Sequence, residues 1–395
     1  MLVILATHPI QYQIPIWQEL AKANNQFFEV WYLSQYGTAS SIDPEFGIQF
    51  KWDIPLLEGY PFRFLAGFED RPPSNFLRTR FSDFAKELMQ SKVDTILVLG
   101  WHVIAFWQAI VIAKRQGIHV LVRGDSHDLH QSNGIKGRVK KVLLRYLFKH
   151  VDNFLYVGKA NFRLYKTYQI PDNKLKFSPH CIDNDRFSQE ASIFKACRDT
   201  LRNEWGIPLP AFTFVFCGKF IPIKNLLTLL DAFALLYNTT PLTHRAVHLL
   251  LVGEGEQKTI LQNKIRELWG ASPPVTITGF LNQKEISKAY VAGDCLILPS
   301  YSETWGLVVN EAYACGIPAI VSNRVGCAED LVKPVNSDFI FDPYSVSALR
   351  DSMMTCIGAR YHEISEKCTN LIASYSIQET VNVLMEFTSS VGKND

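Results

Sequence analysis

Two doubly wound α/β domains facing one cleft are the fold class this sequence predicts, and three observations carry it. The 395 residues exceed what a single hydrophobic core usually supports. Short β-branched runs alternate with longer stretches of helical periodicity almost throughout, the signature of parallel βα units. The alternation pauses in a polar, breaker-rich stretch around 185–210 and then begins afresh, so the units fall into two sets.

In the first set, Leu2–Ala6, Phe28–Leu33, Thr95–Leu99, His119–Val122 and Phe154–Val157 read as strands, each a short apolar run bounded by polar or turn-forming residues. Helical periodicity fills the intervals near 13–23, 78–90, 103–116, 135–149 and 159–168. Phe187–Trp205 reads as a polar helix, and the segment Gly206-Ile-Pro-Leu-Pro210 breaks it. In the second set, Phe212–Cys217, Val247–Val252, Val275–Thr278, Cys295–Pro299 and Ala319–Ser322 read as strands with helices between them. A last amphipathic segment, Ile377–Phe387, is expected to cross back to the first sheet. The expected domains are therefore 1–187 and 188–376, with a terminal helical segment 377–395. Open α/β sheets take ligands at their strand C-termini, and two such sheets would share one cleft.

A hydrophobic content of 47% with 20% charged residues describes an ordinary folded chain rather than a disordered one. The net charge is +2, with the excess of Lys and Arg in the first half, so an anionic surface would meet that half. Cys181, Cys197, Cys217, Cys295, Cys315, Cys327, Cys356 and Cys368 form no C-x-x-C pair and lie mostly in apolar runs. Buried free thiols in a reducing compartment are expected, with neither zinc nor disulfides. Met-Leu-Val-Ile-Leu-Ala lacks a basic region and meets His8-Pro9 too soon for a signal peptide. The longest apolar stretch, Val103–Ala113, is interrupted by Gln108 and too short to span a bilayer. A cytoplasmic location is expected.

Four segments of the second half carry chemistry. Gly218-Lys219-Phe-Ile-Pro-Ile-Lys224-Asn225 joins a strand to a helix, where Gly218 permits close backbone approach and two ammonium groups suit a diphosphate. Val252-Gly253-Glu254-Gly255 and Thr278-Gly279-Phe280 are further strand ends able to offer backbone contacts to a base. In Ser300–Pro318, Glu303 lies in a turn and Glu311 just inside the following helix. Two carboxylates able to accept from hydroxyls thus flank a helix N-terminus able to hold phosphate.

These segments resemble the nucleotide-sugar domain of retaining family 4 glycosyltransferases, the glycosyl transferases group 1, with the GT-B fold. The family's G-[R/K]-x-x-x-x-K segment matches Gly218-Lys219 through Lys224, its V-G-x-G segment matches Val252–Gly255, and its E-x7-E motif matches Glu303 through Glu311. The resemblance covers nearly the whole chain and is most specific over 214–330. It implies that Lys219 and Lys224 hold the diphosphate, Glu303 contacts the sugar, Glu311 contacts the ribose, and the amides around Gly306 and Leu307 meet the phosphates. Gly218, Gly253, Glu254, Phe280 and Trp305 complete the expected donor site. Asn225 departs from the family, which commonly has glycine there.

The first half would supply the acceptor side. Thr7-His8-Pro-Ile-Gln11-Tyr12 follows the first strand and resembles the start of relatives that act on lipid-linked or polysaccharide acceptors, so His8, Gln11 and Tyr12 are candidate acceptor contacts. Gly100-Trp101-His102 adds His102 with a lesser claim. Asp125 falls where many relatives place an active-site histidine and His127 lies two residues on, which leaves open which of them faces the reacting carbon. Ser178–Asp183, with His180 and Cys181, corresponds to the family's interdomain segment and reads as a hinge rather than a metal site. The stretch 134–149 is an amphipathic helix with Lys136, Arg138, Lys140, Lys141, Arg145 and Lys149 and no carboxylate. Its apolar stripe either packs on the sheet or, with the basic face, meets anionic lipid at the membrane. Nucleic acid is disfavoured, because no aromatic stacking platform accompanies the charges.

The expected activity is transfer of a hexosyl group from a nucleoside diphosphate sugar to a hydroxyl acceptor with retention, the acceptor being a lipid-linked saccharide or polysaccharide precursor. No cofactor beyond the donor substrate and no metal is expected, since no D-x-D carboxylate pair occurs in the motif segments. The alternatives are a sugar-nucleotide epimerase on the same fold and a non-catalytic sugar-binding or partner protein.

Overall fold

The computed structural model describes residues 1–23, 27–38, 41–42, 49–65, 76–77, 79–81, 83–129, 134–239 and 246–388. Long apolar strands buried on both faces demand helices on both sides, and this condition generates two compact units. The first draws its residues from 1–41, 54–181 and 376–395, and the second from 42–53 and 182–375.

In the first unit seven parallel strands follow the order Phe62–Phe64, Phe28–Tyr32, Leu2–Ala6, Thr95–Val98, His119–Gly124, Asn153–Tyr156 and Leu175–Phe177. The chain begins in the middle, builds to one edge, then returns past Leu2–Ala6 to build the other side. The reversal lies between Leu2–Ala6 and Thr95–Val98, where Leu2 pairs with both Phe28 and Thr95. A crevice opens at the C-terminal end of such a reversal because the flanking helices leave on opposite faces. The helix Ile377–Thr388 packs on Ile14–Ala23. Thr380 Oγ1 donates to the Pro179 carbonyl at 3.0 Å, and Lys176 pairs with Glu386 at 2.9 Å.

In the second unit six parallel strands follow the order Val275–Gly279, Val247–Val252, Phe212–Cys217, Cys295–Leu298, Ala319–Ser322 and Ile340–Phe341. Its reversal lies between Phe212–Cys217 and Cys295–Leu298. At the N-terminal end of those strands, buried Arg202 donates to Asp294 at 2.7 Å and to the carbonyls of Ala292, Leu209 and Ala211. Asp294 also accepts from the Thr213 amide and from Arg198, both at 2.8 Å. This end of the sheet is locked by charge and the opposite end is left to loops.

Both sheets are of the expected doubly wound class, and the expected strands form their centres together with one edge of the second sheet, Val275–Gly279. Three edge strands were not expected: Phe62–Phe64, Leu175–Phe177 and Ile340–Phe341, each too short to show a period. The expected helix over 187–205 is two helices, Asn184–Lys195 and Arg198–Glu204, and that over 78–90 is Phe84–Gln90, residues 78 and 82 lying outside the described ones. The eight cysteines are free thiols, Cys197 alone being partly exposed. No described helix is long and apolar enough to cross a membrane.

Candidate functional site

At the reversal of the second sheet, the loop after Phe212–Cys217 is zipped to the loop after Val247–Val252. The amide of Gly218 donates to Val252 O at 3.0 Å, that of Phe220 to Glu254 O at 2.7 Å and that of Gln257 to Phe220 O at 2.9 Å. A β-carbon on Gly253 would stand 1.9 Å from Gly218 O, and one on Gly255 2.6 Å from Phe220 O. The glycines of this motif are therefore required by backbone lying on backbone. Their effect is to bring two strand-end loops together.

A 3-10 turn, Pro222–Lys224, then delivers the chain to helix Leu226–Thr239 through Asn225, whose φ of +58° lies in the left-handed region. Asparagine tolerates this conformation, and its Nδ2 donates to Pro299 O at 3.1 Å and Pro343 O at 2.9 Å. Where relatives commonly have glycine, this chain thus has a side chain that ties three strand-end loops to one another. Ile223 O accepts from the Tyr301 amide at 2.8 Å. The outcome is that Lys224, from the first of these loops, forms an ion pair with Glu303 from the second, the loop that also holds Pro299, both only partly exposed.

Glu303 is held by its backbone, the amide donating to Arg324 O at 3.2 Å and the carbonyl accepting from Gly326 at 3.0 Å. Gly306, at φ +101° and with no room for a β-carbon against Leu298, opens helix Leu307–Ala314. The first amides of that helix point along its axis with the positive end of its dipole. Glu311 lies one turn inside and is buried, accepting a hydrogen bond from the Tyr290 hydroxyl. Trp305 turns inward, its Nε1 donating to Asn310 at 2.9 Å and its ring 5.9 Å from Tyr375. Glu254 pairs with Lys258 at 2.5 Å and lies against Gly279. Phe280 is half-buried, its ring 6.4 Å from that of Trp52, and Lys219 is half-buried beside Gly218.

The first unit has a polar cluster at its own reversal. His8 follows Leu2–Ala6, its Nδ1 3.0 Å from Thr7 Oγ1 and its ring edge-on to Tyr36. His102 follows the neighbouring strand Thr95–Val98 and folds back over Gly100, edge-on to Phe106. Burial, with His102 adding to it, pulls His8 down to about 4, and burial outweighs Asp125 in pulling His102 down. His180 is likewise pulled down to about 4 by burial and by Arg123, against the opposing pull of Asp125. Arg123 is buried and donates to Pro179 O at 2.8 Å. Asp125 thus sits amid two neutral histidines and a buried guanidinium. His127 turns to its own loop, its Nδ1 accepting from the Leu129 amide at 3.2 Å, while Asn161 and Arg163 hold that loop through Ser126 O and Asp128. Gln11 and Tyr12 are half-buried in the turn after His8.

Of the residues chosen from sequence, the fold brings Lys224 to Glu303, His8 to His102, and His102 to Asp125. Arg123 and His180 join the second group without having been assigned to it. A signal existed for each: an arginine within an apolar strand run is a buried cation in need of partners, and Ser178-Pro-His180 follows a strand end.

Residues 198–373 match the family model described as glycosyl transferases group 1. Over these residues the chain is similar to that family. Lys219, Lys224, Glu303 and Glu311 all lie inside the matched residues, whereas His8, His102, Asp125 and His127 lie outside them. The chain is 28% identical over 171 residues to a D-inositol 3-phosphate glycosyltransferase of Thermomonospora curvata, covering 41% of this chain and 38% of that one. It is 33% identical over 112 residues to a sulfoquinovosyl transferase of Arabidopsis thaliana, covering 28% and 21%. The chain therefore spans less than half the length of these curated relatives. The fold is that of solved glycosyltransferases: one from Rickettsia africae has a TM-score of 0.72 at 15% identity, covering 100% of this chain and 99% of that one. An Anabaena protein crystallised with UDP has a TM-score of 0.71 at 16% identity, covering 98% and 99%.

Proposed function

We propose that this protein moves a hexosyl group from a nucleoside diphosphate sugar to a hydroxyl of a lipid-linked saccharide or polysaccharide precursor, with retention at the anomeric carbon, in the cytoplasm. The observation that carries the reading is the Lys224–Glu303 pair, three residues before the glycine that opens helix Leu307–Ala314, within the residues that match the family. A cation suited to a diphosphate, a carboxylate suited to sugar hydroxyls and helix amides suited to phosphate occupy one strand-end cluster. Donor binding would exchange the ion pair for a Lys224–phosphate contact and a Glu303–hydroxyl contact. The Anabaena neighbour's complexes with UDP and with UDP and glucose support a donor of this class.

As the bond between the anomeric carbon and the diphosphate oxygen breaks, negative charge gathers on the leaving phosphate and positive charge on the sugar. Lys219, Lys224 and the amides at Gly306 and Leu307 stabilise the former without a metal. The acceptor oxygen bonds to the anomeric carbon on the face the phosphate leaves, and its proton passes to that phosphate oxygen, which gives retention without a covalent intermediate. The ribose hydroxyls would join or displace Tyr290 at Glu311. In the first unit, Asp125 or His127 orients the acceptor, with His8, Gln11, Tyr12 and His102 around it.

A panel of sugar nucleotides, read by nucleotide release with and without a membrane lipid extract, tests the reading. Acceptor-dependent release is expected. Epimerised donor without acceptor, or binding with no turnover in any mixture, would instead favour an epimerase or a non-catalytic binder.

A further inference from the structure

Helix Ile135–Phe148 of the first unit gives only one side to the core. Leu144, Leu147 and Phe148 are buried. At about 100° per residue they occupy one arc of the helix. On the opposite arc Ile135, Val139, Val142, Leu143 and Tyr146 are 81%, 53%, 69%, 50% and 55% exposed. Lys136 and Lys140 flank this apolar row on one side, and Arg138, Lys141, Arg145 and Lys149 on the other. No Asp or Glu occurs between Asp128 and Asp152. Among the described residues none of these cations pairs with a carboxylate, and Arg145 donates to Gln169 at 3.3 Å. Of the two arrangements open from sequence, packing of the apolar stripe on the sheet holds only for Leu147. The rest of the stripe faces away from the core.

We propose that this row docks on an anionic bilayer surface, its apolar side chains in the headgroup–acyl boundary and its flanking cations on lipid phosphates. Charge complementarity selects the occupant. Six cations with no carboxylate suit a continuous anionic sheet, and an apolar row between two basic margins is the geometry of a helix lying in an interface. Nucleic acid would leave the apolar row wet, and an apolar protein groove would leave the basic margins without purpose. The docking does not depend on the glycosyl-transfer reading.

The test is sedimentation of the full chain with vesicles of phosphatidylcholine alone or mixed with phosphatidylglycerol, at low and high salt. Binding to the mixed vesicles, weakened by salt, is expected. The exposed double variants Val142→Asp/Leu143→Asp and Lys140→Glu/Lys141→Glu should each lower it by roughly ten-fold or more while leaving the thermal unfolding of the protein unchanged. In a Leu143→Trp variant, tryptophan emission should be quenched further by brominated lipid than in the parent chain. Equal binding to neutral and anionic vesicles, unaltered binding by both double variants, absence of the added quenching, or no vesicle binding at all overturns the proposal.

Discussion

Lys224 and Glu303 are 79 residues apart in the chain and meet in an ion pair. Each neutralises the other, and on the proposed function removing either charge would act on donor binding rather than on folding. Lys224→Ala is expected to weaken nucleoside diphosphate sugar binding by roughly ten- to hundred-fold, the worth of one charged hydrogen bond. Calorimetric titration checks this, and unchanged donor affinity together with an unchanged transfer rate would contradict the assignment. At the same scale, His248 is buried in the second sheet, 3.0 Å from Thr276 Oγ1, and burial, with Arg202 adding to it, pulls it down to about 4. Its ordinary value is 6.5. Between these values the unfolded chain takes up a proton that the folded one refuses, so stability falls as pH drops from 6.5 towards 4 and levels off below. The contribution is on the order of 3 kcal/mol. Urea unfolding of His248→Gln across that window should show a shallower pH slope than the parent chain, and parallel slopes would remove the argument.

Elements are joined here at two ends by different means. At the C-terminal end of the strands, Gly253 and Gly255 let one loop lie on another and Asn225 ties three loops. At the other end, Arg202 holds Asp294 and three carbonyls in the dry interior. Breaking a buried pair by removing one partner leaves an uncompensated charge. Arg202→Met is therefore expected to destabilise the second unit by about 3 kcal/mol, with Arg198 retaining part of the hold on Asp294. Adding Asp294→Asn should restore some of that loss. Denaturant titration measures both, and a stability equal to that of the parent would show the network to be dispensable.

Across the whole molecule, the last helix belongs with the first unit although the second unit separates them in sequence. Val381 and Leu384 are buried. A chain ending at Tyr375 loses that burial, roughly 3 to 6 kcal/mol for two large side chains. The unfolding transition of the first unit should move to lower temperature while the second unit keeps its donor affinity, since all its candidate residues lie within 218–311. Calorimetry of the truncated chain decides this, an unshifted first transition being the contrary outcome.

Much of the fold was legible in short windows of sequence. Alternating apolar runs mark strands, helical spacing marks helices, and glycine and proline mark the breaks between them, because each is a property of a few neighbouring residues. Those signals determined two doubly wound units and located the loops that carry Lys219, Lys224, Glu303 and Glu311. They could not reveal strands of two or three residues at the sheet edges, which exist only because a neighbour pairs with them. Nor could they show that Lys224 meets Glu303, that Arg123 and His180 surround Asp125, or that Trp305 turns inward. The apolar stripe of 135–149 makes the same point: spacing established that it shares one face, but which face the core would take depended on the sheet beneath. Periodicity is encoded locally, whereas partner and burial are set by residues distant in the chain that the fold brings together.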